Sequence, residues 1–153
     1  MKLQNAIDLL RSEYGASLVE LAITLPLLLL LLMGVVDFGR CFYLAVEVVG
    51  AAQAGVEYGM QNPTDTTGMS NAAKDDAPNV PNLTVAAPTY GCECSDGTQC
   101  SAGCATTPTT CTYNVVYRVS VTASTTYTPL IPWPGVPSSV TLSTTAKMRT
   151  GKT

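Results

Sequence analysis

The chain has 153 residues, a net charge of −3 and a charged fraction of only 12%, which is about half of the usual share. Since no basic stripe is present to neutralise phosphates, the sequence argues against a nucleic-acid partner. Histidine, the commonest general base and metal ligand, does not occur. We therefore expect no catalytic residue, no metal and no cofactor.

The first 15 residues are polar and end in a junction of two small residues, Gly15-Ala16. An ordinary secretory signal places its small-residue cleavage site after the apolar stretch. Here the junction comes before that stretch. Cleavage between Gly15 and Ala16 would remove a polar leader and leave an apolar helix as the new N-terminus.

An apolar run follows at residues 18–36, with no charge between Leu21 and Val36. A helix of this length extends about 28 Å, at about 1.5 Å per residue, which is close to the ~30 Å hydrocarbon core of a bilayer. We therefore predict a membrane-spanning helix over residues 18–36.

The motifs around this run resemble a known family. Gly15, followed five positions later by Glu20, is similar to a type IV prepilin processing site. The pattern G-x-x-x-V-E-x-A-x-x-x-P from Gly15 to Pro26, the leucines, and Asp37-Phe38-Gly39-Arg40 resemble the TadE-like pseudopilins of tight-adherence (Tad/Flp) pili. Further similarity lies in residues 51–55, where Gln53 replaces the usual Arg, and in three tail motifs at residues 92–97, 127–130 and 146–149.

The resemblance implies processing between Gly15 and Ala16 by a prepilin peptidase, and an assembly role for Glu20. It implies as partners other pilin or pseudopilin subunits and the inner-membrane assembly platform. The expected location is the bacterial inner membrane, with one span and the C-terminal domain outside the cytoplasm, and also an extracellular pilus.

Glu20 and Pro26 each allow two interpretations. A lone carboxylate in an apolar run costs a few kcal/mol at the bilayer centre, so Glu20 either faces water at headgroup depth or meets the amino group of Ala16 on a neighbouring subunit. Pro26 removes one backbone hydrogen bond, so it is either an assembly hinge or a tolerated kink.

Helical spacing continues to about Met60, so we predict one helix over residues 16–60. Its apolar stripe packs either on its own domain or on a partner, and consists of Phe38, Cys41, Ala45, Val48, Val49, Ala52 and Val56. Asp37 and Glu57 lie off the stripe. Residues 50–52 and 54–55 are small enough to allow a second backbone to approach closely.

The remaining residues, 61–153, predict an exported β-rich domain. A short helix is expected over residues 68–77, capped by Ser70 or Asn71, and a strand over residues 82–87. Strict alternation at residues 113–123 and 140–149 predicts two antiparallel strands with one buried face. The proline-rich connection at residues 129–137 contains Trp133, which either packs under the sheet or forms an exposed contact patch.

Five cysteines lie close together between these elements: Cys92, Cys94, Cys100, Cys104 and Cys111. A zinc site without histidine needs four thiolates, normally in C-x2-C pairs, and this spacing is absent. The pattern therefore favours a disulfide-stapled loop over metal or redox chemistry. Two bridges leave one thiol over, which stays free or pairs between chains, and Cys41 is a poor mate for it.

We thus predict an α+β protein: a leader (1–15), a long transmembrane and amphipathic helix (16–60), and a small antiparallel β-sheet domain with a disulfide-stapled loop (61–153). The predicted function is that of a structural pseudopilin or minor pilin of a Tad/Flp-type pilus used for adhesion or surface attachment. One alternative is a membrane-anchored extracytoplasmic binding domain that does not assemble. An enzyme such as a thiol oxidoreductase is disfavoured, since C-x-x-C is absent.

Overall fold

A computed structural model describes residues 13–97 and 114–151. Within these ranges, two helices precede four strands: α1 (Glu13–Gln61), α2 (Thr66–Asp76), β1 (Thr84–Val85), β2 (Thr89–Cys94), β3 (Val115–Tyr127) and β4 (Val140–Thr150). Contacts along the chain divide it into two compact units, Met1–Arg40 and Cys41–Thr153. The predicted combination of a long apolar helix and a small antiparallel sheet is confirmed.

Helix α1 is a continuous α-helix that contains Pro26. The proline has no N–H to donate to the helix. Thr24, two residues before it, donates a hydrogen bond of 2.8 Å from Oγ1 to the carbonyl of Glu20. At its other end α1 stops at Gln61, because Pro63 follows and the next residues form a turn, in which Asp65 N donates to the Asn62 carbonyl. The predicted extent of this helix is therefore correct to within a few residues.

Helix α2 begins after Asp65, whose Oδ1 accepts a hydrogen bond of 2.8 Å from Gly68 N. The predicted caps Ser70 and Asn71 are wrong, because the helix starts earlier and both residues lie inside it. Tyr58 Oη donates to the other oxygen, Asp65 Oδ2, at 2.8 Å. A side chain at Gly68 would collide with the Asp65 carboxylate and the Tyr58 ring, so glycine is required for this close approach.

The sheet of the second unit is antiparallel and is centred on β3. Strands β1 and β2 pair with successive parts of one edge of β3, and β4 pairs along the other edge from Tyr117↔Thr150 to Tyr127↔Val140. The two strands predicted from alternation are confirmed as β3 and β4, although β3 continues to Tyr127. The strand expected over residues 82–87 is reduced to Thr84–Val85.

Strand β2 was not expected, since the Gly and Cys residues around 91–94 were interpreted as part of a loop. The first two cysteines of the cluster instead lie in this strand, with Cys92 opposite Tyr117 and Cys94 opposite Val115. Glycine and cysteine are poor local strand signals, so pairing with the long β3 determines this element.

The core lies between α1, α2 and one face of the sheet, all within the second unit. One cluster includes Leu44, Val48, Ala51, Ala123 and Tyr127. A second cluster consists of Val56, Met69, Ala73, Val119 and Val121. These clusters confirm that the odd-numbered residues of β3 from Val119 onward form the buried face.

The apolar stripe predicted for α1 is correct at Val48, Ala52 and Val56 but wrong at Phe38 and Val49, which are exposed. The core face instead uses Leu44 and several small residues, namely Ala51, Gly55 and Gly59. The reason is the close approach of α2 and β3. A Cβ atom at Gly55 would lie 3.0 Å from Val121 Cγ1 and 3.1 Å from the Met69 carbonyl oxygen.

Asp37 is a second difference between the prediction and the structure. It was expected to lie off the apolar stripe of α1, but only 3% of its surface is exposed. A buried carboxylate needs polar partners to offset its desolvation. Asp37 does form at least one polar or electrostatic interaction.

We predict that Gly55→Leu destabilises the second unit by about 1–3 kcal/mol, because a side chain there overpacks the junction of α1, α2 and β3. Thermal unfolding of the full chain in non-ionic detergent, followed by near-ultraviolet circular dichroism, measures the effect. Gly39→Leu is the matched control, since nothing lies within 4 Å of a Cβ at Gly39. An unchanged melting temperature in Gly55→Leu would contradict the tight packing.

The Asp65 cap predicts an acid-sensitive contribution to stability. The hydrogen bond from Gly68 N, followed by that from Tyr58, lowers the pKa of Asp65 below 3.8. A lowered pKa contributes stability that is fully present above the unfolded-state value, about 3.9, and is lost as the pH falls through the folded-state value.

The test compares the wild type with Asp65→Asn, which keeps the cap acceptor but does not titrate. We expect the wild type to be the more stable at pH 7 and this difference to shrink below about pH 4. Denaturant unfolding at pH 7 and pH 3 measures the difference. A stability difference that is the same at both pH values would refute the role of the carboxylate.

Candidate functional site

The apolar part of α1 exposes its side chains on all sides. Every residue from Ala16 to Met33 is exposed, including all six leucines from Leu27 to Leu32. A helix that is apolar all round belongs either in a protein core or in a membrane, and this one is not buried within the chain. By length and composition, α1 is the helix among the described residues that is able to cross a membrane.

The predicted processing and assembly residues lie along one stretch of α1. Gly15, Ala16 and Glu20 line a shallow apolar groove together with Val19 and Ile23. Their spacing of one, four and five positions places them on neighbouring turns of the helix. Gly15 already lies inside the helix, two residues after its start at Glu13.

The Glu20 side chain is exposed, and the described residues place no basic group within ion-pair distance of it. A carboxylate at this depth of an apolar helix has a strong electrostatic reason to take a cationic partner from outside the chain. In a row of copies, a free amino group on Ala16 has the correct charge for that partner. Both interpretations of Glu20 stay predictions.

The second unit continues the exposure of apolar residues on α1. Phe42 is 72% exposed and Val46 is 52% exposed, and Val49 follows at the next helical step. These three residues occupy positions i, i+4 and i+7, which is one face of the helix, and we call them the outer stripe. The outer stripe is available to a neighbouring helix.

The cysteines are only partly described. Cys92 is buried and carries a free thiol, and Cys41 is a half-buried free thiol. A free thiol at Cys92 is compatible with the one cysteine that two predicted bridges leave over. Cys94 is buried and is not among the free cysteines. Cys100, Cys104 and Cys111 lie outside the described residues, so the stapled loop stays a prediction.

No group of three or more Cys, Asp or Glu side chains suited to a metal ion occurs in residues 13–97 and 114–151. The same residues contain one compact ionic cluster that sequence reasoning did not identify. Glu93 on β2 contacts Arg118 on β3, with Oε2 2.9 Å from Nε, and Lys147 on β4, with Oε1 3.7 Å from Nζ. The alternation placed Arg118 and Lys147 on polar faces, but only the register of β2 brings Glu93 between them.

Trp133 in the proline-rich connection is half-buried, which lies between the two predicted alternatives. Its carbonyl accepts a hydrogen bond of 3.1 Å from Val136 N, and Gly135 has a positive φ of 81°, so the connection contains a tight turn. Leu130 and Val136 on either side are exposed.

Comparison with known proteins identifies the N-terminal region. Residues 15–57 match the family model described as TadE-like protein. The match begins at the Gly15 junction and ends near the end of α1, so it covers less than half of the chain and does not include the tail motifs. No curated protein and no solved structure matches the chain. The resemblance predicted from the motifs is thereby confirmed for the N-terminal region: residues 15–57 form a segment that matches the TadE-like family.

Proposed function

We propose that this protein is a structural subunit, a pseudopilin or minor pilin, which is held in the membrane by α1 and enters a Tad/Flp-type pilus used for adhesion or surface attachment. The TadE-like segment indicates involvement with the Tad pilus, and the long apolar helix fits a single-pass membrane protein. The observation that carries the proposal is the exposed apolar surface of α1 with Glu20 near its start.

The apolar surface supports a two-step role for α1. Burying one leucine side chain contributes about 1.5–3 kcal/mol, so the six consecutive leucines alone disfavour an aqueous state by roughly 10 kcal/mol. In the newly inserted subunit, lipid covers this surface. In a filament, neighbouring helices cover it, and the outer stripe at Phe42, Val46 and Val49 extends the contact beyond the membrane span.

Glu20 fixes the register in which the helices of neighbouring subunits pack. An apolar contact alone tolerates many registers, whereas a charge pair in a dry helix bundle is favourable in only one. The pair we propose joins Glu20 of one subunit to the Ala16 amino group of the next. That amino group exists only after cleavage by a prepilin peptidase between Gly15 and Ala16.

The rest of the proposal concerns place and partners. The subunit lies in the bacterial inner membrane with residues 61–153 outside the cytoplasm, where it meets other pilins and the assembly platform. That oxidising compartment favours the disulfides predicted from the clustered cysteines. TadE-like proteins are not known as enzymes, which supports a structural role.

The first test concerns Glu20. We expect Glu20→Ala to insert in the membrane normally and to lose most of its incorporation into filaments, because the charge pair that sets the register is gone. Pull-down with the other pilus subunits, and quantification in sheared filaments, measures incorporation. Glu57→Ala is the matched control, since Glu57 is an exposed glutamate on the same helix. Wild-type incorporation of Glu20→Ala would reject the assembly role.

The second test concerns the leader. Intact-mass measurement of the protein from membranes should show a chain that begins at Ala16. Gly15→Val should retain residues 1–15, because a bulky side chain at the junction blocks the peptidase. Gly39→Val, at an exposed glycine with open space around it, should be processed normally. A wild-type chain that keeps Met1 would favour the alternative, a membrane-anchored binding domain that does not assemble.

A further inference from the structure

The face of the sheet opposite the core carries a concentration of positive charge. Arg118 lies directly opposite Arg149 in the register, and Lys147 lies opposite Ser120 one step further along the same face. The chain as a whole has a net charge of −3, so this surface differs in sign from the average of the molecule. Such a local reversal favours a short-range anion contact over long-range attraction of polyanions.

A cleft lies within this charged surface because of one glycine. Gly91 is opposite Arg118 in the register, and no described residue lies within 4 Å of the position that its Cβ would occupy. The result is an open cleft of about 340 Å³, with Glu93, Arg118, Ser120 and Lys147 on its walls. This volume is at the lower end of the range of small-molecule sites, roughly 300–1,000 Å³.

Glu93 is an incomplete hydrogen-bond partner for the two cations of the cleft, Arg118 and Lys147. Arg118 Nε lies 2.9 Å from Glu93 Oε2, but this buried nitrogen makes no hydrogen bond, so its N–H is not directed at the carboxylate. The Lys147 Nζ is 3.7 Å from Glu93 Oε1, which is longer than a charge-assisted hydrogen bond. Among the described residues, the two cations therefore share one carboxylate, and the buried Arg118 Nε has no hydrogen-bond acceptor, which a second acceptor would supply.

We propose that this cleft binds a uronic acid unit of an acidic polysaccharide. The ligand carboxylate lies between Arg118 and Lys147, where it supplies the missing acceptors. Sugar hydroxyls donate to Glu93 and exchange hydrogen bonds with Ser120 and Thr89, which also line the cleft. This site is separate from α1 and does not depend on entry into a pilus.

Glu93 determines the choice of ligand. A phosphate dianion would bring two negative charges to Glu93 and only one O–H donor, so repulsion weakens that ligand. A uronic acid carries one negative charge beside several O–H donors, and this combination matches two cations beside one carboxylate. A neutral sugar leaves the cations unsatisfied.

The test is isothermal titration calorimetry of the full-length chain in non-ionic detergent. We expect saturable binding of oligogalacturonate, at least tenfold weaker binding of its methyl ester, and weaker binding of inorganic phosphate. A comparison with monomeric galacturonate distinguishes a free sugar acid from a polymer as the ligand. If the ligand is a polymer that extends along the sheet face, the affinity increases with chain length.

Variants assign the site. Gly91→Val should lose at least tenfold in affinity because it fills the cleft, and it should fold normally, since valine suits a strand and Gly91 has no positive φ. Lys147→Ala should also lose about tenfold, which corresponds to roughly 1.4 kcal/mol. Lys74→Ala, on an exposed position of α2, is the charge-matched control and should bind as the wild type does. Glu93→Gln should gain affinity for phosphate.

Any of three results would overturn the proposal. The wild type shows no saturable binding of oligogalacturonate, which leaves the cluster as an internal ion network. Gly91→Val, with an unchanged circular dichroism spectrum, binds as tightly as the wild type. Phosphate, or vesicles with an anionic lipid, binds as tightly as oligogalacturonate, which makes the cleft an unselective anion site.

Discussion

The constraint on which this protein depends is an apolar helical surface that its own chain does not cover. The leucine-rich part of α1 is exposed on all sides, and the hydrophobic free energy of that surface is roughly 10 kcal/mol or more. This is comparable to the whole stability of a typical domain, about 5–15 kcal/mol. The segment therefore requires lipid or other helices, and both membrane insertion and the assembly that we propose would cover it.

The second unit solves a different packing problem. Its part of α1 contributes small residues to the core, and Gly55 and Gly59 bring the helix backbone close to Val121 and Met69. The core side of α1 combines these small residues with Leu44, Val48 and Val56. Phe42 and Val46 on the other side of the helix are exposed, so they are available for contact with a neighbouring helix.

The sheet separates its two faces by polarity. On β3, Val119, Val121 and Ala123 build the core, while Arg118 and Ser120 between them face away from it. A cleft on the outer face carries no part of the hydrophobic core, so its residues are free to serve recognition. A subunit whose helix supports assembly and whose outer sheet face binds an acidic sugar would combine attachment of the filament with attachment to a surface.

Local pattern was sufficient to predict much of this molecule. The uncharged run from Leu21 to Val36 and the alternation of β3 and β4 each reflect a periodicity of one element, and hydrophobicity along the chain reports such periodicity directly. The motif from Gly15 to Pro26 was likewise sufficient to predict the TadE-like segment of residues 15–57. The helix cap at Asp65 was missed because Asp65, five residues before Ser70, is only as good a local candidate as Ser70 or Asn71.

The amino-acid sequence by itself determined the membrane-length helix, the polarity of the two long strands and the TadE-like character, because each is encoded in adjacent residues. Only the tertiary structure decided that β2 exists, that Asp37 is buried and that Glu93 meets Arg118 and Lys147. Strand β2 and the Glu93 cluster join residues from distant parts of the chain. Their position depends on strand register and close packing, which no local pattern specifies.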